Sequence, residues 1–278
     1  MGVEKSAIIW YNKLHYPHHV RFFREITDKR DYMKHKLSKT SVLHLVKLFL
    51  RVGLFLVAFI SYIVCRINGS CIFSEYSDII PWILAVIWIF YAVEMALRFF
   101  PADIESPGCQ KQFKKNFIPT DESVPVLQSW QRTLIMALAW FGLNAIFGIL
   151  YFTGVIDAGM LILVSLAYGV GDMICIFFFC PFQTWLMKNR CCTDCRIYNW
   201  DFAMMFTPYV FIPHPYTWSL LAMSLIILIR WEITYRRHPE RFSERTNATL
   251  ACKNCTDKLC KRKKQLMSFI KNNRFIKK

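Results

Sequence analysis

The sequence predicts an all-α integral membrane protein, a polytopic helical bundle of about six transmembrane helices with both termini in the cytosol. Three observations carry that reading. The 278-residue chain is 55% hydrophobic and holds 24 Phe, 12 Tyr and 9 Trp, an aromatic load that soluble domains of this length rarely reach. Its apolar residues fall in blocks rather than interleaved with polar ones, and a helix needs about 20 such residues to cross a hydrocarbon core. The formal net charge of +16 lies between and beyond those blocks. Basic segments flanking apolar spans mark cytosolic loops and not a nucleic-acid binder, so the bilayer of a plasma or inner membrane is the expected partner.

Residues 1–42 form a basic cytosolic or interfacial segment with nine Lys and Arg. Its stretch SAIIWYNKLHYPHHVRFF is aromatic and basic, as suits a membrane interface, though a soluble leader has the same look. No continuous apolar core of a removable signal peptide is visible there, and the opening MGVEKS fits the permissive N-myristoylation pattern. The transmembrane domain is expected over 43–236, and a basic, Cys-containing cytosolic tail over 237–278.

Within the domain the spans are expected at Leu43–Cys65, Ile79–Phe100, Thr133–Thr153 and Ile156–Phe182. The next apolar stretch, Phe202–Trp231, is long for one straight span and short for two full ones, and Pro208, Pro213, His214 and Pro215 interrupt it. Proline lacks an amide donor and clashes with the preceding turn, so Pro213-His214-Pro215 stops one helix, and Pro215 suits the first position of the next. The expectation is a hairpin: a short fifth segment over Ile197–Ile212 and a sixth over Pro215–Arg236. Charge favours it. Residues 230–278 carry fifteen Lys and Arg, whereas 67–78, 154–157 and 212–216 carry none. Six spans bring every basic segment to one face; five would put the tail outside.

Two cysteine runs flank this hairpin. Cys191, Cys192 and Cys195 follow span four, and Cys252, Cys255 and Cys260 follow span six. On the six-span reading both are cytosolic, where thiols stay reduced and metal binding or catalysis outweighs disulfides. Cys192-x2-Cys195 and Cys252-x2-Cys255 are two C-x2-C pairs, each able to place two thiolates on one ion through a tight loop, and together completing a four-sulfur site. Cys191 and Cys260 are alternate ligands. Zinc would staple the tail to the loop; an iron–sulfur cluster uses the same four thiolates. The extra thiols of Cys109 and Cys180 fit a cluster or dithiol exchange. Cys65 and Cys71, at the expected outer face, allow a disulfide or two thiols, and Cys175 reads as a small apolar filler.

Ionisable residues at membrane depth are costly and are candidate functional groups. Glu94 lies four residues before Arg98, a spacing that allows a local helix pair. Asp172, in Tyr168-Gly-Val-Gly-Asp172, has no basic neighbour within a turn. His44, Lys47 and Arg51 line one face of span one, and alternation of the spans brings Lys47, Arg51, Glu94, Arg98 and Asp172 into the cytosolic half. Either they form an ion-pair network that locks the helices, or they serve a proton, quinone or ion pathway, with Asp172 and Glu94 as the catalytic candidates. Asn144 lies mid-span, His214 at the outer end of the hairpin, and His15, His18 and His19 read as an interfacial patch.

No Walker-type loop, His-Glu-x-x-His or Gly-x-Ser-x-Gly is present. Asn68, Asn247 and Asn254 head glycosylation triplets, of which the last two are expected in the cytosol and unmodified. The leading expectation is a membrane redox or electron-transfer component, with a redox partner or quinone as its expected partner. The alternatives are an ion or soft-metal transporter with a structural zinc site, and a membrane-embedded lipid-modifying enzyme.

Overall fold

In an apolar medium the backbone must satisfy its own amides, which a helix does within each segment, and among the described residues the regular structure is helical. In a computed structural model, residues 39–67, 79–101, 107–189 and 195–255 are described, and all fall in one compact unit beginning at Ser38. Helix α1 spans Lys39–Ile67, α2 Ile79–Leu97, the short α3 Pro107–Gln112, α4 Trp130–Phe152, α5 Ala158–Phe177, the short α6 Asp201–Phe206 and α7 Pro215–Arg237. Among the described residues there is no strand, only an isolated antiparallel bridge between Pro119 and Asn247.

Four of these helices are long and apolar enough to cross a membrane: Ser41–Ile67, Trp130–Phe152, Ala158–Phe177 and Pro215–Arg237. A shorter apolar helix covers Trp82–Leu97. Their outward faces carry Phe49, Leu138, Phe141, Ile149 and Ile229, all more than half exposed. A bilayer accepts such a surface without the penalty water would exact. The class of protein predicted from composition, an all-α membrane protein, is what these helices describe.

The segment from 196 to 211, ahead of the Pro213-His214-Pro215 interruption, is the centre of the bundle. Residues 196–200 form a 3₁₀ helix, α6 follows directly, and Thr207–Phe211 is 3₁₀ again. The tighter 3₁₀ winding rises about 2.0 Å per residue against 1.5 Å for α, so these sixteen residues reach roughly 29 Å. A plain α-helix would need about 20 residues for that distance. Phe202, Met205, Phe206 and Tyr209 on this segment are buried at 0–2% exposure, packed among α4, α5 and α7. Pro213 and Pro215 bound the turn, and α7 starts at Pro215 as expected, with His214 as its N-cap. The His214 Nδ1 accepts from the Tyr216 amide at 3.3 Å, and the two rings stack at 5.4 Å. His214 is therefore a helix cap.

Neighbouring segments run in alternating directions, and contacts at each end show it. At one end Tyr62 near the end of α1 donates to the Asp157 N-cap of α5 at 3.2 Å and Phe152 of α4 meets Phe211, while Trp88 in the middle of α2 donates to Ser219 near the start of α7 at 2.8 Å. At the other end Arg132 of α4 donates to the Met187 carbonyl, Arg230 of α7 donates to the Phe99 carbonyl, and the Arg196 amide donates to Gln128. Gly148 is needed where α4 crosses the 207–211 turn: a Cβ there would lie 2.5 Å from the Phe211 ring. α5 ends at Phe177, earlier than the expected Phe182, and the chain continues through a π-turn at Phe182–Leu186.

Replacing Gly148 by Ala should lower the melting temperature of the detergent-solubilised protein, at a cost of about 1–3 kcal/mol for the overpacked ring. Combining it with Phe211→Leu, which removes the obstructing ring edge, should restore part of the loss. Additive losses in the double variant would show that the two do not touch.

Candidate functional site: a buried charge network beneath a knotted loop face

Arg51 sits mid-face on α1, at 1% exposure. A guanidinium carries five N–H donors in a rigid fork and stays charged, so burying it obliges the fold to supply acceptors around it. Its Nε and Nη2 donate to Glu94 Oε2 of α2 at 3.3 and 3.0 Å. Its Nη1 donates to the Gly169 carbonyl at 2.9 Å and to Asp172 Oδ2 at 3.0 Å, both on α5. Lys47, one turn away, reaches Glu94 Oε1 at 3.2 Å. Tyr91 and Phe202 lie beneath the Arg51 guanidinium, 5.7 and 5.9 Å from it. One turn after Glu94, Arg98 pairs with Asp201 at the start of α6, above the same Phe202 ring at 5.0 Å. Three cations and three carboxylates from four helices thus balance in one buried cluster.

The expected grouping of Lys47, Arg51, Glu94, Arg98 and Asp172 is what the fold assembles. The partners differ from the local reading. Glu94 is met across the helix interface by Arg51 and Lys47, and Arg98 reaches Asp201, so the spacing of Glu94 and Arg98 missed the cross-helix partners that matter. Asp172 does find a cation, on α1. Asp201 went unrecognised because it reads as the last polar residue of a loop; its place at the head of an apolar stretch was the available signal. Asn144 is buried and donates back to the Trp140 carbonyl at 2.9 Å, a local helix bond. His44 is buried with its ring edge against Phe177.

Above this cluster, the segments that precede and follow the first cysteine run are clamped to the start of α4. Gln183 and Asn189 bond each other's main chain, the Gln183 side chain donating to the Asn189 carbonyl at 3.1 Å and the Asn189 amide to the Gln183 carbonyl at 3.0 Å. Lys188 between them takes a left-handed φ of 52°, a conformation a side-chain-bearing residue adopts at a cost. Beyond the run, Cys195 is buried in a small apolar cluster with Met136, Trp140, Met187 and Ile197. Arg196 follows, donating to Glu232 at 2.6 Å and lying between the Tyr235 and Trp130 rings at 4.3 and 5.3 Å. Trp200 donates to the second Glu232 oxygen at 2.8 Å.

The tail is knotted to the 107–126 loop. Asn247, wholly buried, donates to the Lys111 and Arg241 carbonyls at 3.0 and 2.9 Å. The Ala248 amide donates to the Ile118 carbonyl at 2.8 Å, and the Val126 amide to Ser243 Oγ at 3.0 Å. With both amide hydrogens engaged and no exposure, Asn247 is a structural hub, and its glycosylation triplet is inaccessible in the fold. Asn199 donates to Gln112 at 2.6 Å, which ties the start of the central segment to the same loop.

Of the expected metal ligands, Cys192 lies outside the described residues, with the alternates Cys191 and Cys260, and so does Cys71 of the possible outer disulfide. Cys252 opens a 3₁₀ turn that runs to Asn254. Cys255 is half-buried with Lys111 Nζ 3.9 Å from its sulfur. Among the described residues, no three or more His, Cys, Asp or Glu are grouped to hold a metal ion. No protein-family model, curated protein or solved structure matches the chain, so its class, an all-α membrane protein with a buried charge cluster, rests on its own geometry.

Arg51→Met should reduce the folded yield in detergent sharply, a loss of about 3–5 kcal/mol from leaving Glu94 and Asp172 without their shared cation. Adding Glu94→Gln and Asp172→Asn should recover much of it. Size-exclusion profiles and thermal melts of the single and triple variants check this, and equal loss in both would refute charge pairing as the cause.

Proposed function

We propose that this is a six-pass protein of the plasma or inner membrane, with both termini cytosolic, acting as a redox or electron-transfer component through a metal centre on its cytosolic face. Cys192, Cys195, Cys252 and Cys255 are its ligands, with Cys191 and Cys260 as alternates, and zinc or an iron–sulfur cluster is the group. The carrying observation is that the chain just beyond the first cysteine run and the chain leading into the second are fastened to one end of the bundle. The Asn199–Gln112 bond and the Asn247–Lys111 bond join both to α3.

The six passes are supported by the length of the 196–211 segment and by aromatic residues at the two ends. Trp130 and Trp185 are exposed at the loop end, and Trp82, Trp218 and Phe152 at the other. Exposed aromatics at two levels suit the two interfaces of a bilayer. Bound to four thiolates, an iron–sulfur cluster would supply one-electron chemistry, and zinc would supply a staple. In this arrangement Lys111, 3.9 Å from the Cys255 sulfur, offsets thiolate charge, and the Glu94–Arg51–Asp172 cluster below serves proton chemistry. A transporter or channel with a structural zinc site is the second reading, favoured by the extent to which the tail is already knitted to the 107–126 loop.

Protein purified without oxygen should carry iron and sulfide with a brown, reducible absorbance. Colourless protein with zinc would support the second reading, and metal-free protein with freely labelled cysteines would remove the shared site. Cys192→Ser and Cys252→Ser should each deplete the metal to a similar extent. Depletion by one alone would mean that loop and tail do not share an ion.

A further inference from the structure

The three buried carboxylates are not equally compensated. Glu94 is held by two cations, Lys47 and Arg51, and its side chain is 6% exposed. Asp201 has Arg98 and is 8% exposed. Asp172 has part of one guanidinium: among the described residues Arg51 is the cation within ion-pair distance of it, through the same Nη1 that also serves the Gly169 carbonyl. Its side chain is 23% exposed against 1% for Arg51. Loss of the Asp172 charge would leave Arg51 with its Glu94 and Gly169 bonds, so the guanidinium keeps its place. Loss of the Glu94 charge would weaken both Arg51 bonds to its Oε2 and leave Lys47 unmatched.

Among the buried polar atoms of the same cluster, the Tyr91 hydroxyl, on a side chain with 0% exposure, and Asp201 Oδ1 have no hydrogen-bond partner among the described residues. The Tyr91 hydroxyl lies against the Gly169 backbone, where an added Cβ would be 2.7 Å from it. Asp172 itself sits five residues from the loop-side end of α5, roughly 8 Å by helix rise.

We infer that Asp172 is a proton-exchange site of the membrane domain, taking a proton onto its carboxylate from the aqueous phase at the loop end while Arg51 stays held by Glu94 and the Gly169 carbonyl. The extra positive charge is carried by Lys47, which lies one turn nearer that end and is 16% exposed; its flexible stem lets the ammonium move toward the interface. The groups that set the exchange are His44, Lys47 and Arg51 on α1, Tyr91, Glu94 and Arg98 on α2, Tyr168 on α5 and Asp201 on α6. This inference rests on the reading that these helices lie in a bilayer, and it is independent of whether a metal is bound.

The test is labelling of the full-length protein in lipid vesicles with dicyclohexylcarbodiimide, which enters the apolar phase and reacts with protonated carboxyl groups. Peptide mass spectrometry then reads each site. An adduct at Asp172 that increases several-fold from mildly alkaline to mildly acid pH, with Glu94 and Asp201 remaining largely unmodified, is expected. Asp172→Glu should keep the labelling and Asp172→Asn should lose it. Absence of an Asp172 adduct, or equal modification of Glu94, would overturn the proposal. Metal content of the same samples separates the two readings: metal retained without labelling removes the proton site alone, and labelling without metal removes the redox centre alone.

Discussion

A charge that cannot be neutralised, placed where water is excluded, dictates the geometry around it. Arg51 is that charge. Its donors need acceptors from more than one direction, and α2 and α5 supply them with Glu94, Asp172 and the Gly169 carbonyl. In lipid the helices gain little from hiding apolar surface from each other, since lipid tails are as apolar as leucine. Close packing and polar bonds must then set the arrangement. The contacts reflect this: α1 packs chiefly on α5 and little on its sequence neighbour α2, which packs on α7, and the Arg51 fork bonds α2 to the α1–α5 pair.

The same constraint explains the central segment. Its first residues face a crowded polar end, where Arg196, Asn199, Trp200 and Asp201 all have partners, and its remaining length is enclosed by α4, α5 and α7. The 3₁₀ turns at its two ends stretch sixteen residues to the reach of a longer helix. The cost is poorer hydrogen-bond geometry, and the close packing of Phe202, Phe206 and Tyr209 compensates. Ser165 adds a bond to the Met205 carbonyl at 2.7 Å, at the junction where the winding changes.

At the loop end, polar side chains do what sheet ladders do elsewhere. Asn247 and Asn199 each span two segments far apart in sequence, and both amides are buried. The loop from 107 to 126 becomes a platform on which the tail and the start of the central segment both rest. That platform ties the chain just after Cys195 and the chain just before Cys252 to the same loop.

By itself the sequence determined the class, the long helices and the hairpin. Apolar blocks of membrane length, proline at 213 and 215, and basic segments in alternate loops are local signals, and each acts within its own stretch of chain. Five members of the buried cluster, Lys47, Arg51, Glu94, Arg98 and Asp172, were legible for the same reason, because a charged residue inside an apolar block has to face its fellows; Asp201, at the edge of its block, was not. Who pairs with whom was left to the tertiary structure. The spacing of Glu94 and Arg98 suggested a partnership along one helix, but the Arg51 guanidinium, held in place by α5, is close enough to claim the carboxylate across an interface, and Asp201 arrives to meet Arg98. Asn247 matched a glycosylation triplet with Ala248 and Thr249, and its role as a hub went unread because its carbonyl partners are main-chain atoms, which no side-chain pattern announces. Pairings of this kind depend on distances between segments far apart in sequence, and those exist only once the helices have packed.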